Sequence, residues 1–347
     1  MTTYALATPD DDATLRALLR DNPMAGWVTM AMEREPSFFA GSNLFGRDWA
    51  IIALHGDTPV GMYACSEQPV HLNGAPAELG YLGALRIQQR YRNRMRILRE
   101  GFASVRVWSH ACGPGLWYTA IASENLVACR VLEANLRGMP RYRPVNELVT
   151  LAVTKARERR HGLWRPARTE EMDRLCAFHN RQASRFQFAP VLSPELAYKT
   201  GASFFVHERQ GELVACMALW NQQAYKQVVA RAYRWPLGMF LPFYNAYARL
   251  ARRVLLPRPG QALDQASLAF MAVSPSHEGH IVQLVEDALS RCPAEVLTIG
   301  LHDRHPWLVL LSRAFRPAVY KTRIYAVCFE DTIPLDGRPA QPEVALL

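Results

Sequence analysis

Ile87-Gln88-Gln89-Arg90-Tyr91-Arg92-Asn93-Arg94-Met95-Arg96-Ile97 is the stretch on which the fold turns. It starts at the end of a run over 77–87 that reads as a long strand. It leads through a basic turn into 92–107, where Ile97, Leu98, Phe102 and Val105 share one helical face. Strand, turn and helix in that order put the turn where an α/β sheet opens to bind ligands. Arg86, Arg90, Arg92, Arg94, Arg96 and Arg99 fall within 14 residues there. A helix amino terminus carries partial positive charge from its unpaired N–H groups, and forked guanidinium groups add to it. Arginines in a first turn oppose the dipole unless an anion sits against them. The stretch therefore reads as a site for phosphate groups, with nucleic-acid binding and a solvated basic face as competing readings.

Outward from that stretch the chain alternates in a regular way. Upstream lie a short strand over 4–7 and an acidic helix start at Asp10, Asp11 and Asp12 before Leu15, Leu18 and Leu19. A hairpin of 49–54 and 59–66 follows, around His55-Gly56-Asp57-Thr58. Downstream come a strand over 116–121, a helix over 126–136 and a closing strand over 148–153. The charge run at 155–161, KARERRH, and Gly162 mark a boundary. Beyond it the order repeats. A helix spans 170–182, a hairpin pairs 204–207 with 213–220, and a strand over 268–273 runs into Ser274-Pro275. A helix over 281–289, a strand over 296–301, a helix over 307–315 and a last strand over 320–329 complete it. The repeat is one of element order, with little residue identity. It predicts an α/β (mixed-sheet) fold of two tandem domains, each a mixed, mostly antiparallel sheet flanked by helices. The domains span 1–155 and 162–333, the second with a helical insertion at 236–260, and 334–347 is an irregular tail. In the insertion Tyr244, Tyr247, Leu250, Val254 and Leu255 recur at helical spacing among Arg249, Arg252 and Arg253. A helix packed on its own domain, a lid, a dimer contact and a membrane-surface helix all fit that pattern.

Half of the 347 residues are hydrophobic and 20% are charged, which excludes a disordered chain. No apolar 18-mer is uninterrupted, and the first residues lack the order of a signal peptide, so a cytoplasmic protein is expected. The seven cysteines are scattered without a CxxC pair, which predicts buried thiols and neither disulfides nor zinc. The net charge of +9 favours anionic partners without choosing among them. Ser274, Ser276 and His277 lack the G-x-S-x-G setting of a nucleophile.

The element order, with 87–97 at its centre, resembles the GNAT (Gcn5-related N-acetyltransferase) superfamily. The stretch is similar to that family's fourth strand and pyrophosphate loop, V-x-P-x-Y-R-G-x-G-x-G/A. Arg92 matches, and Met95 and Ile97 stand at glycine positions. Asn125-Leu126-Val127-Ala128 resembles the N-x-x-A that opens the family's next helix, and Gly138-Met139-Pro140-Arg141-Tyr142 takes the place of its G-F turn. In the second half, Val273-Ser274-Pro275 and Gly279 resemble the same loop in shortened form. The resemblance implies acetyl-CoA or another acyl-CoA as co-substrate and no metal. Arg92, Asn93, Arg94, Met95, Arg96, Ile97 and Asn125 would hold it, and Leu85 and Ile87 would bond its pantetheine arm through their backbone. The tyrosine that protonates the leaving thiolate in the family is Leu132 here. Candidate acids are then Tyr118, Tyr142 and Tyr325, and candidate bases are Glu78 and Glu67. His302-Asp303-Arg304-His305 occupies the second-half position equivalent to Asn125, where it is expected to line a substrate cleft or to form a polar loop. The implied function is an acyl-CoA-dependent N-acyltransferase acting on an amine of a small molecule or peptide. Two other readings stay open: a transferase that takes its amino acid from a charged tRNA, the one case with a nucleic-acid partner, and an inactive pair serving as ligand sensor or interaction module. Monomer and homodimer both remain open.

Overall fold

The structure is a computed structural model that describes residues 2–24, 26–92, 94–108, 116–329 and 334–347. The N-terminal half runs β1 (Thr2–Leu6), α1 (Asp12–Asp21), β2 (Val28–Glu33), β3 (Arg47–His55), β4 (Thr58–Leu72), β5 (Ala75–Ile87), α2 (Met95–Trp108), β6 (Leu116–Ala122), α3 (Leu126–Glu133) and β7 (Arg141–Thr154). The C-terminal half runs β8 (Arg165–Pro166), α4 (Met172–Ala183), α5 (Pro194–Thr200), β9 (Ser203–Arg209), β10 (Glu212–Trp220), β11 (Gln227–Tyr233), α6 (Leu241–Leu250), β12 (Gln265–Val273), α7 (Ile281–Arg291), β13 (Val296–His302), α8 (Trp307–Phe315) and β14 (Ala318–Cys328).

Twelve strands make one mostly antiparallel sheet in the order β1-β3-β4-β5-β6-β14-β7-β13-β12-β10-β9-β8. The two parallel pairs are β5 with β6 and β12 with β13, one in each half. The last strands are exchanged. β14 lies between β6 and β7, and β7 pairs β14 on one side and β13 on the other. Helices α2 and α3 cover an apolar cluster around Trp117, Tyr142 and Phe102, while α7 and α8 cover one around Leu284, Leu297 and Leu311.

Each parallel pair is short, and each has the same device beside it. β5 and β6 pair at Gly80–Trp117 and Tyr81–Tyr118, and β12 and β13 at 265–267 with 296–298. Beyond each pairing a residue takes a left-handed conformation, Ala84 in β5 and Phe270 in β12, both at φ 51°. The antiparallel neighbour loses register opposite each, between Met62 and Ala64 and between Cys216 and Ala218. An extra residue on one strand bends it and ends regular pairing, so each half carries a bulged strand beside a short parallel ladder.

Several elements depart from the sequence reading. β2 and β11, like β8 and α5, stand where the sequence predicts no element. β2 and β11 pair with each other as a separate two-stranded ribbon that ties the halves together, and neither has a partner nearby in the chain to announce it. α3 stops at Glu133, short of 136, and Asn135 follows at φ 49°. β7 begins at Arg141, and α2 begins at Met95 after a 3-10 turn over Gln89–Tyr91. The tail is irregular except for a 3-10 turn at Val344–Leu346, yet its Ala340 and Ala345 are buried. Cys65, Cys129, Cys176, Cys216, Cys292 and Cys328 are buried thiols, and Cys112 lies outside the described residues.

Candidate functional site

The basic turn follows the bulged end of β5. Arg86 is partly buried there. Its Nη1 donates to the Leu85 carbonyl at 2.9 Å, and its Nε is buried with no partner among the described residues. Burial pulls the Arg86 pKa down, while the Tyr320 and Tyr81 phenols pull it back up. Arg92 donates from Nε to the Ile87 carbonyl and from Nη2 to Asn22 Oδ1, each at 3.2 Å. Leu85 and Ile87, expected to bond pantetheine through their backbone, thus each have a carbonyl that accepts from an arginine. Arg94 and Arg90 flank the Tyr91 ring at 4.8 and 5.1 Å, and Arg96 pairs with Glu100 at 2.6 Å. No acidic residue stands in the first turn of α2, so its dipole lacks an anionic partner there. Ile97, at a family glycine position, buries its side chain against Ala53 and Val60. Met95 is half-buried, and Asn93 lies outside the described residues. Asn125 caps α3, its Oδ1 accepting from the Ala128 N–H at 3.2 Å. An open groove of about 670 Å³ runs beside the turn, between α1 and Gln88, Gln89 and Arg90.

The candidate acids and bases are dispersed. Tyr118 is buried, donates to Gln68 Oε1 at 2.8 Å and stacks on Phe188, and burial raises its pKa. Tyr142 is buried beneath α2, its ring packed against Phe102 and Tyr325. Glu78 is exposed on β5, opposite Pro69 and before the parallel pairing begins. Partial burial and then Glu67 raise its pKa. Glu67 is buried, 3.7 Å from Arg47. Tyr325 donates to Glu133 Oε1 at 2.6 Å, and Arg323 reaches the same oxygen at 2.9 Å. The Tyr325 hydroxyl and then Arg323 hold the Glu133 carboxyl below its ordinary value, against its desolvation.

A different group gathers around Arg86 and escaped the sequence reading. Burial raises the Tyr81 phenol, and Arg34 and Arg86 pull it down. Burial also raises Tyr320, with Glu124 adding to the rise and Arg86 opposing it. These side chains come from β5, from β14, from the segment after β2 and from the turn after β6. Nothing in local spacing links them, because the exchanged β14 is what brings Tyr320 to the N-terminal half.

The equivalent region of the C-terminal half is filled by the chain itself. The bulge amide of Phe270 donates to Glu343 Oε2 at 2.9 Å, and the His302 amide donates to Gln341 Oε1 at 3.1 Å. Val344 packs so closely on Gly300 that a Cβ there would meet it at 2.9 Å. A cavity of only about 60 Å³ remains between β12, β13, α4 and the tail, with His305 on its wall. His302 and His305 each accept at Nδ1, from the Arg304 and Trp307 amides, and burial lowers their pKa values to about 4 and about 3. At the N-terminal bulge no side chain bonds the Ala84 amide among the described residues.

No protein-family model matches this sequence. No curated protein matches it either. Solved structures do. N-myristoyltransferase of Saccharomyces cerevisiae with bound myristoyl-CoA aligns at a TM-score of 0.60 and 11% identity, over 98% of this chain and 88% of that one. A GCN5-related N-acetyltransferase from Sphaerobacter thermophilus aligns at 0.55 and 13%, over 96% and 98%. One from Anabaena variabilis aligns at 0.51 and 9%, over 94% and 72%. At these identities the likeness is one of fold. Together with the repeated bulged strand and the basic turn before α2, it shows that the chain carries the fold of the GNAT superfamily, in tandem.

Proposed function

We propose that the chain is an acyl-CoA-dependent N-acyltransferase whose thioester co-substrate binds the N-terminal half, at the end of β5 and the start of α2. The observation that carries this reading is the inequality of the two bulges: Phe270 holds Glu343 of the chain's own tail, whereas Ala84 stands beside the arginine-rich turn. The solved N-myristoyltransferase with bound myristoyl-CoA, similar over nearly the whole chain, supports an acyl-CoA in preference to a charged tRNA. The buried, unpartnered Arg86 Nε and the uncompensated start of α2 suit an anion. Arg92, Arg94, Met95 and Arg96, with Asn93 of the same turn, then surround the pyrophosphate, Ile97 anchors the turn on the sheet, and Asn125 shapes the far side through its cap. Leu85 and Ile87 are released to pantetheine when Arg86 and Arg92 turn to the phosphates. The same reading divides the chain at 155–162 into two units that exchange their last strands.

In the transfer, an amine nitrogen attacks the thioester carbonyl carbon, the C–N bond forms and the C–S bond breaks. One proton leaves the amine and one joins the departing sulfur. Tyr320, within electrostatic range of Arg86 and Glu124, is better placed to give the second proton than Tyr118 or Tyr142, which are built into the core. Glu124 and Glu78 are the carboxylates proposed to take the first. The amine belongs to a small molecule or peptide.

Calorimetric titration of acetyl-CoA and a longer acyl-CoA tests the placement. Binding to the wild type that weakens by about a hundredfold or more in Arg86→Ala/Arg92→Ala is expected, since each of the two lost charge-assisted contacts costs roughly 1.5–3 kcal/mol. Absence of binding to any acyl-CoA, or binding that the double variant leaves intact, overturns it.

A further inference from the structure

The surface around α6 is at odds with exposure to water. Asn245 pins the helix by bonding both the N–H and the carbonyl of Leu256 through its amide, and Leu241 and Ala248 are buried beneath it. The opposite face carries Phe240, Phe243, Tyr247 and Leu250 at helical spacing. Leu250 is 88% exposed, Phe243 72% and the nearby Trp235 76%. Trp27 is exposed as well and stacks against Arg234 at 5.4 Å. A helix of a globular protein normally turns its apolar stripe inward, so a second apolar stripe facing out needs an occupant.

Charge identifies the occupant. No aspartate or glutamate occurs from 213 to 263, while Arg234, Arg249, Arg252, Arg253 and Arg258 do. At the end of α6, Arg157 donates to the carbonyls of Ala251 and Arg252 at 3.0 and 3.1 Å, adding a further guanidinium. Burial, and after it the nearby Arg316, Arg252 and Arg253, depress its pKa. Such a face repels a second copy of itself. Aromatic and aliphatic side chains on one side of a short helix with arginines beside them match an interfacial helix, which buries its apolar face at the headgroup boundary and pairs its cations with anionic lipid. Among the described residues no helix is long and apolar enough to cross a membrane, so contact through α6 is peripheral.

We propose that α6 and its flanking turns dock the protein on a membrane surface bearing anionic lipid headgroups. The inference does not depend on the acyltransferase reading. Its test is co-sedimentation of the full chain with phosphatidylcholine vesicles, with and without about 30 mol % phosphatidylserine. Binding is expected to the anionic vesicles and to weaken when salt rises from about 0.15 M to about 0.5 M. Phe243→Glu/Leu250→Glu is expected to abolish it. Arg249→Gln/Arg252→Gln should weaken it by about twenty-five-fold, from roughly fivefold per arginine. Both variants change exposed side chains, and an unchanged thermal midpoint verifies that they fold. Equal binding to neutral and anionic vesicles, failure to bind either, or binding indifferent to both variants overturns the proposal. So does self-association or RNA binding that Phe243→Glu/Leu250→Glu removes while vesicle binding is absent.

Discussion

At the residue scale, Gly80 and Asn125 show how local and distant causes differ. Gly80 sits where β5 meets β6, and a Cβ added to it would lie 2.1 Å from Trp117 Cε3. Trp117 is buried in the core under α2, so it cannot retreat. Gly80→Ala is expected to cost roughly 1–3 kcal/mol by overpacking, read as a lower urea midpoint with unchanged slope. Asn125→Ala removes the cap of α3 and should cost about 1 kcal/mol in the same measurement. The Asn125 motif was legible in the sequence because a cap acts on the next three residues. The setting of Tyr118 was not, because its hydrogen-bond partner Gln68 is 50 residues away and its stacking partner Phe188 lies in the other half. Ile97 explains how a glycine position tolerates a large side chain: the residue points into the sheet, and the turn is left to its arginines.

At the scale of elements, two carboxylates held by backbone amides shift in opposite directions, and what differs is whether the donors or the desolvation prevail. Asp287 on α7 accepts from the amides of His161, Gly162, Leu163 and Trp164 at 2.8–3.0 Å, with Arg291 at 3.8 Å. Burial works against its charge, but the amides outweigh it and hold its pKa below the ordinary 3.8. It clamps the segment after the charge run at 155–161 to the C-terminal half. Because its folded pKa is depressed, the stability it contributes is present above about pH 3.8 and is lost as pH falls through the lower folded value. Asp287→Asn is expected to lose about 2–4 kcal/mol at neutral pH, with the gap from wild type closing in acid. Glu343 in the tail is raised to about 7 by burial, against the pull of the Phe270, Ala345 and Val344 amides and of Lys226. Between its ordinary 4.5 and about 7 the folded chain keeps a proton that the unfolded chain has released, so this group makes stability fall as pH rises through that window. Glu343→Gln removes that slope. Unfolding by urea at about pH 5 and about pH 7 should show the wild type losing more stability than the variant. An unchanged difference would mean that Glu343 does not titrate there.

At the scale of the whole molecule, the exchange of β7 and β14 governs folding. β14 supplies the strand between β6 and β7, so a fragment ending at 158 lacks the centre of its own sheet. Such a fragment is expected not to fold alone, since two unpaired strand edges and an open apolar face are left at β6 and β7. Mixing it with the fragment 159–347 should restore dispersed amide resonances. A folded 1–158 fragment would show that β14 is dispensable to the first unit. The sequence by itself determined most of the elements and their order, the repeat of that order, the basic turn before a helix and the capped helix after it. Those features rest on periodicity, turn chemistry and capping, all acting within a few residues. Only the tertiary structure decided that β14 crosses to the first half and that β2 and β11 pair across the chain. It alone decided that Glu343 closes the second bulge, and that α6 turns an apolar face outward. Each of these depends on which surfaces meet after the chain collapses, and partners 73 or more positions apart leave no local trace of that meeting.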